Sequence, residues 1–234
     1  MKVNLILILT FVTFNCYSQT SEEYKKSGDK KFGMQDYSGA IAYYSMALEI
    51  NPTNPDLYFV RGLAKFGFQS YIEAISDFSK CIEIDPENPF AFLSRGEAKA
   101  KLKDFRGAIL DYNIALEIYP NHSDTYYNRG FAKFCIDDYK GAMPDYSRAI
   151  ELNPNNSKAF YGRGLIKNSF NDFRGAILDF TGAIDINPKF EMAYYSCGLA
   201  KISLGQMDSG CLDLSKAGEL GLELAYDAIK EFCN

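Results

Sequence analysis

The sequence predicts an all-α solenoid of six stacked helical hairpins, because two residue types recur at one fixed spacing along most of the chain. Five prolines stand 34 residues apart, at Pro52, Pro86, Pro120, Pro154 and Pro188. Six glycines keep the same interval, at Gly28, Gly62, Gly96, Gly130, Gly164 and Gly198. Within each interval apolar residues recur every three or four positions, as in residues 176–184, and this is the period of an amphipathic helix.

The repeats are delimited by starting each one 31 residues before its proline. They then span about 21–54, 55–88, 89–122, 123–156, 157–190 and 191–221. An aromatic residue precedes each glycine by four positions, at Tyr24, Tyr58, Phe92, Tyr126, Phe160 and Tyr194. A small residue follows each glycine by twelve positions, at Ala40, Ala74, Ala108, Ala142, Ala176 and Gly210. Small residues let two helices approach closely, and we expect the aromatic rings to fill the space beside them.

Each repeat carries signals for a turn in its middle and a stop at its end. An aspartate stands where the second helix needs an N-cap, at Asp36, Asp104, Asp138 and Asp172. A carboxylate there accepts backbone N–H groups at the positive end of the helix dipole. The late proline ends the second helix, since it lacks an N–H and disfavours the α conformation of its predecessor. Pro144 lies inside the second helix of repeat four and predicts a kink or a frayed first turn.

The sixth repeat departs from this pattern. Gly210 replaces the alanine, Leu214 replaces the aromatic residue and Leu222 replaces the proline. We expect residues 222–233 to form one more helix that caps the C-terminal end, since the last hairpin has no further neighbour to cover its apolar face.

The N-terminal residues predict an export signal. Lys2 precedes an apolar run over residues 3–14, which is the layout of a cleavable signal peptide over residues 1–18. Twelve helical residues span about 18 Å, less than the ~30 Å hydrocarbon core, so we expect no transmembrane span. The mature chain would be periplasmic or secreted. The rival interpretation is lipid attachment at Cys16, although Asn15 stands where a lipoprotein cut favours a small residue.

Export would permit disulfides, although a chain of this kind does not need them for its fold. Loss of Cys16 with the signal leaves five cysteines, so at least one is unpaired or bonded to another chain. Cys211 and Cys233 come near each other if the last helix folds back around residues 219–221. They would then either form a disulfide or remain two independent buried thiols.

Composition limits the partners. The net charge is −5, and lysines and arginines are spread along the whole length without a concentrated basic face. A nucleic-acid partner is therefore not expected.

The repeat pattern resembles the tetratricopeptide repeat family over roughly residues 21–224. The matching features are the 34-residue period, aromatic residues at positions four and twenty-four, glycine at eight, alanine at twenty and twenty-seven, and proline at thirty-two. The resemblance implies a right-handed superhelix of antiparallel helix pairs. It also implies that the first helix of each pair lines a concave groove that binds a protein or peptide.

The residues that the resemblance places in this groove are mostly apolar and aromatic. They are Phe59, Phe66, Tyr127, Asn128, Phe131, Phe134, Tyr161, Leu165, Tyr195 and Leu199. Such a surface suits an extended peptide or a partner helix. Tyrosine at position five is also frequent in the family for packing reasons.

Some family members hold the C-terminal carboxylates of heat-shock chaperones with a set of Lys, Asn and Arg residues in three consecutive repeats. Asn128 and Lys158 match part of that set in repeats three to five. Leu93, Glu97 and Gly162 depart from it. We therefore do not expect recognition of chaperone tails.

Three charged columns run through the repeats. The arginines are Arg61, Arg95, Arg129 and Arg163. The lysines are Lys31, Lys65, Lys99, Lys133, Lys167 and Lys201. The aspartates are Asp77, Asp111, Asp145, Asp179 and Asp213. These columns suit either a site for charged ligands or a ladder of ion pairs between helices, and their even repetition favours the ladder.

The chain lacks a recognisable catalytic or metal-binding pattern. His122 is the only histidine, so a Ser-His-Asp or Cys-His arrangement would have to include it. No cysteines have the spacing of a zinc site, and the glycines do not form a phosphate-binding loop. We expect no enzyme activity, no metal and no cofactor.

The sequence thus predicts an exported scaffold that binds a segment of a partner protein in its groove. The alternative is a structural element of the cell envelope that self-associates through the ends of the solenoid or through a free cysteine.

Overall fold

A computed structural model describes residues 20–233, and all regular secondary structure in this range is α-helical. Its helices are α1 (Ser21–Gly33), α2 (Tyr37–Ile50), α3 (Pro55–Gly67), α4 (Tyr71–Ile84), α5 (Pro89–Lys101), α6 (Phe105–Ile118), α7 (Ser123–Cys135), α8 (Tyr139–Leu152), α9 (Ser157–Ser169), α10 (Phe173–Ile186), α11 (Glu191–Ser203), α12 (Met207–Glu219) and α13 (Leu224–Phe232). Consecutive helices pack as hairpins, and the first helices of neighbouring hairpins also touch. This arrangement is the predicted solenoid. The predictions of a signal peptide over residues 1–18 and of lipidation at Cys16 lie outside the described residues.

The second helices begin at aspartate caps, as the sequence predicts. The Oδ1 atom of Asp36 accepts a hydrogen bond of 2.9 Å from the backbone N–H of Gly39. The same bond recurs at the start of α6, α8 and α10. Ser70, which stands at this position before α4, makes no such bond. The first helices use other caps, such as Asn54 followed by Pro55 at the first helical position.

Glycine recurs at position eight of the repeats because an aromatic ring occupies the space beside it. A Cβ atom added to Gly62 would lie 2.6 Å from the ring of Phe78, which is fully buried. A Cβ atom on Gly164 would lie 2.7 Å from the ring of Phe180. The glycine at position eight of the repeat, on the first helix, therefore contacts the residue at position twenty-four of the repeat, on the second helix. This contact closes each hairpin.

The charged columns form the expected ion-pair ladder. Arg61 donates from Nε and Nη2 to the two carboxylate oxygens of Asp77, at 2.8 and 2.7 Å. Lys65 Nζ lies 2.7 Å from the same carboxylate, which is buried. Arg61 also donates to Ser45 Oγ of the preceding repeat and lies over the ring of Tyr58. The two bonds to an aspartate and the bond to a polar side chain of the preceding repeat recur at Arg95, Arg129 and Arg163.

The C-terminal end of the solenoid is covered by α13, which is the helix predicted over residues 222–233. Ala225 and Ala228 are its buried residues. The structure joins Cys211 on α12 to Cys233 at the end of α13 by a disulfide, with the two Cα atoms 5.8 Å apart. Two independent buried thiols, the other interpretation, are not what the structure contains. Within the described chain the remaining cysteines are free.

Pro144 does not fray the first turn of α8. The helix runs without interruption from Tyr139 to Leu152, and Asp138 caps its first turn through Gly141. Pro144 is exposed, and so is Lys140, whose carbonyl loses its helical donor. Water can therefore satisfy that carbonyl, which explains why the helix tolerates the proline.

Candidate functional site

The first helices of repeats three, four and five line one surface, because α7 contacts both α5 and α9. Three cavities adjoin on this surface, and Tyr127 of α7 lines all three. We call the three cavities together the groove. They are an apolar pocket, a polar cavity and a bridging cavity.

The apolar pocket has a volume of about 260 Å³. It is lined by Tyr127, Phe131, Phe134, Tyr146, Lys158, Tyr161, Gly162, Leu165 and Phe190. The ring centroids of Tyr161 and Phe190 lie 4.8 Å apart, and those of Tyr127 and Tyr146 lie 6.1 Å apart. Small-molecule sites usually enclose ~300–1,000 Å³. The pocket is therefore closer to the size of one large side chain than to that of a cofactor.

Two departures from the repeat pattern shape this pocket. Gly162 stands at position six, where the neighbouring repeats carry the side chains of Asn128 and Ser196. The ring of Tyr146 occupies the space that a Cβ atom of Gly162 would need, at 2.6 Å. Phe190 stands at the position from which an asparagine caps the first helix of repeats two, three and five, and it makes no cap bond. Its ring instead packs against Tyr161.

The polar cavity has a volume of about 440 Å³. It is lined by Glu97, Asp124, Tyr127, Asn128, Asn153, Asn155, Asn156, Ser157 and Lys158. Asn128 Nδ2 donates a hydrogen bond of 2.8 Å to Glu97 Oε1. Burial raises the pKa of Glu97 and is the largest effect; the bond from Asn128 and the charge of Lys101 lower this pKa, and the charge of Asp124 raises it. The balance is a raised pKa, so this carboxylate is ionised at an energetic cost.

The bridging cavity connects this region to repeat two and has a volume of about 380 Å³. It is lined by Phe66, Glu97, Ala100, Lys101, Tyr112, Tyr127, Asn128 and Phe131. Burial raises the pKa of the Tyr127 phenol, which therefore stays neutral at physiological pH. The groove thus combines aromatic walls with one half-buried carboxylate.

The structure brings together seven of the residues that the sequence placed in the groove. They are Phe66, Tyr127, Asn128, Phe131, Phe134, Tyr161 and Leu165. Phe59, Tyr195 and Leu199 lie outside the three cavities, and the ring of Phe59 packs on Phe78, 5.9 Å between centroids. Glu97, Gly162 and Phe190 also line the cavities. Glu97 stands at position nine, one of the positions that line the groove in the family, whereas no pattern in the sequence pointed to Phe190.

The other chemistry-bearing residues have structural partners. Nδ1 of His122 lies 2.8 Å from Thr125 Oγ1, and its ring contacts Phe90 and Tyr119. Burial raises the pKa of Cys81 to about 11. Across residues 20–233, no three His, Cys, Asp or Glu side chains converge as metal ligands would. Over the same range, no helix has both the length and the apolar character needed to cross a bilayer.

Comparisons with known proteins agree with this architecture. Residues 55–88 and 123–156 match family models described as tetratricopeptide repeat, and residues 28–67 match one described as TPR repeat. No curated protein matches the chain.

Among solved structures, the MamA protein is 29% identical over 71% of this chain and 91% of its own, with a TM-score of 0.66. The pilF protein of Pseudomonas aeruginosa is 14% identical over 90% of this chain and 96% of its own, with a TM-score of 0.79. YrrB, described as a TPR protein with an unusual peptide-binding site, is 21% identical over 80% of this chain and 97% of its own, with a TM-score of 0.68.

The fold is a solenoid of helical hairpins, and the groove lies along its first helices. The chain is a tetratricopeptide repeat protein.

Proposed function

We propose that this chain is a protein-interaction scaffold that holds a segment of a partner protein in the groove. The observation that carries the proposal is the apolar pocket, in which aromatic side chains of repeats four and five surround an open volume of about 260 Å³. Phe131, at the meeting point of the apolar pocket and the bridging cavity, is 44% exposed. An anchor side chain that fills such a pocket supplies much of the binding free energy in protein interfaces.

Phe131→Glu tests this role, because it places a charge in the groove at a site that contributes little to the core. Peptides selected from a random displayed library on the wild-type chain would be titrated by calorimetry against the variant. We expect Phe131→Glu to weaken binding at least about tenfold, since a glutamate cannot be buried unpaired against an apolar ligand. Circular dichroism should show unchanged helicity.

Phe68→Glu is the matched control. Phe68 directly follows α3 at the turn, is 56% exposed and lies outside the groove. The control should bind the selected peptides as the wild type does. Equal binding by wild type and Phe131→Glu, or equal loss in both variants, would contradict the assignment of the groove.

The alternative function, self-association in a structural assembly, has one observation in its favour. In each of the first five repeats, the residue that follows the first helix is large, apolar and exposed: Met34, Phe68, Leu102, Ile136 and Phe170. Sedimentation of the purified chain as a monomer, with and without reductant, would count against self-association.

Export is a further part of the proposal, and it rests on residues 1–18 of the sequence. The disulfide between Cys211 and Cys233 supports it, because disulfides persist in oxidising compartments. The mass of the N-terminal peptide from the cell envelope distinguishes a chain beginning at Gln19 from one lipidated at Cys16. A chain that keeps Met1 would contradict both.

A further inference from the structure

We propose that the groove selects a segment in which a large apolar residue and a lysine or arginine occupy adjacent or alternate positions. The apolar side chain enters the apolar pocket, and the cation reaches Glu97 in the polar cavity. This inference rests on the proposed function and adds the chemistry of the partner.

The two cavities are close enough for neighbouring side chains of one segment. Tyr127 and Lys158 line both of them, so the cavities share a wall. In an extended segment, side chains two residues apart lie on the same face, about 7 Å from each other. An extended segment lying along α7 and α9 can therefore fill both cavities from alternate positions, and a segment whose backbone turns between the two side chains can do so from adjacent positions.

Glu97 is a half-buried carboxylate with a hydrogen-bond donor beside it but no cation within ion-pair distance among the described residues. Asn128 holds its Oε1 atom at 2.8 Å, while no lysine or arginine of the described chain forms an ion pair with it. The side chain is half-buried, and burying an unpaired carboxylate is unfavourable. A lysine or arginine from a partner would supply the missing opposite charge.

The solenoid itself does not require a carboxylate at this position. Position nine carries an apolar residue in four of the other five repeats: Leu63, Phe131, Leu165 and Leu199. The ion-pair ladder is complete without Glu97, because Arg95 and Lys99 of the same helix pair with Asp111. Glu97 therefore costs stability without closing any structural contact except the bond from Asn128.

The other charges around the polar cavity favour the same partner. Asp124 adds a second carboxylate to its wall. Lys101 and Lys158 are the nearby cations, and both are exposed. The charge of Lys101 lowers the pKa of Glu97 slightly from a distance, but neither lysine forms an ion pair with Glu97 or Asp124. An acidic segment would have to bring its carboxylate against Glu97 and Asp124, whereas a basic one is attracted to them.

Short synthetic peptides test the inference directly. Four acetylated and amidated nonapeptides in a Gly-Ser background would carry Phe-Ser-Lys, Phe-Ser-Gln, Phe-Ser-Glu or Ala-Ser-Lys at the centre, with a second set at adjacent spacing. Calorimetry with the full purified chain should show that one Phe-Lys peptide binds about tenfold more tightly than its Phe-Gln counterpart, as expected for a charge-assisted contact. The Phe-Glu and Ala-Lys peptides should bind more weakly still.

Glu97→Gln identifies the carboxylate that is responsible. Glutamine keeps the size and the acceptor for Asn128, so this variant should bind the Phe-Lys and Phe-Gln peptides equally. Glu97→Lys should reverse the preference in favour of Phe-Glu. Glu117→Gln, which changes an exposed glutamate on α6 away from the groove, should leave every affinity unchanged.

Two results would overturn the inference. One is equal affinity of the wild type for the Phe-Lys and Phe-Gln peptides at both spacings. If Phe131→Glu still abolished that binding, the groove would keep its proposed function and only the charge preference would fall. The other is no binding of any of these peptides, and the library-selected peptides then decide separately whether the groove binds at all.

Discussion

At the residue scale, the turn between the two helices of each hairpin contains a strained position. Lys103 has φ +64°, and non-glycine residues occupy the same left-handed position at Gln35, Gln69, Asp137 and Asn171. Only repeat six has glycine there, Gly205. In this conformation Cβ crowds the following carbonyl, and short polar side chains such as those of Asn and Asp tolerate it better than Lys or Gln. The backbone bonds of the turn hold the residue in place, as from Lys103 N–H to the carbonyl of Ala100.

Lys103→Gly is therefore expected to stabilise the chain. The Lys103 side chain is exposed, so its removal loses little. Relief of the left-handed strain, less the greater entropy of glycine in the unfolded chain, should raise the free energy of unfolding by about 0.5–1 kcal/mol. Urea denaturation measures this change. Asn171→Gly should give a smaller gain, and a lower stability of Lys103→Gly would show that the turn is not strained.

At the element scale, the arginine of each middle repeat ties three helices together. Arg163 on α9 binds Asp179 on α10 and Ser147 on α8, so one side chain joins a hairpin to the preceding one. Repeat six lacks this tie because Cys197 replaces the arginine. Asp213 there pairs with Lys201 at 2.6 Å, and its side chain is 17% exposed, compared with 5% for Asp179.

Cys197→Arg should restore the missing tie between α10, α11 and α12. Burial raises the pKa of the Cys197 thiol to about 12, so the residue now present is neutral and cannot replace a guanidinium. An arginine would donate to Asp213 and could reach Thr181, the counterpart of Ser147, with an expected gain of about 1 kcal/mol. Thermal unfolding and hydrogen exchange of α11 and α12 measure it. Cys197→Met, which is apolar, should give no such gain, and equal effects of both substitutions would refute the charge-based explanation.

At the scale of the whole molecule, the repeat period predicts the fold, and breaks in the period mark the site. The columns predict every helix pair because each repeat buries its apolar faces only against its neighbours. Tyr127 and Phe131 were predictable in the groove, since the superhelix gives their positions the same orientation in every repeat. Gly162 and Phe190 interrupt their columns, but the pocket depends on how Tyr146 and Tyr161 pack around them, and no spacing in the sequence encodes that packing.

Glu97 is the third break, and its effect should appear in the pH dependence of stability of the entire chain. Burial raises the pKa of its carboxyl above the unfolded value of about 4.3, so the folded chain binds this proton more tightly than the unfolded chain. The free energy of unfolding therefore falls as pH rises from the unfolded to the folded pKa, and the loss is complete above the folded pKa. Glu97→Gln removes this loss.

The expected result is that Glu97→Gln and wild type unfold at different urea concentrations near neutral pH, with the variant more stable, and that the difference shrinks as the pH falls towards 4. Glu117→Gln, in which the substituted side chain is exposed, should show no comparable divergence. A wild type that is more stable than Glu97→Gln at pH 7 would mean that Glu97 stabilises the solenoid. If the variant is instead more stable and also loses the preference for basic peptides, the carboxylate opposes folding while it serves binding, as expected of a residue retained for a partner.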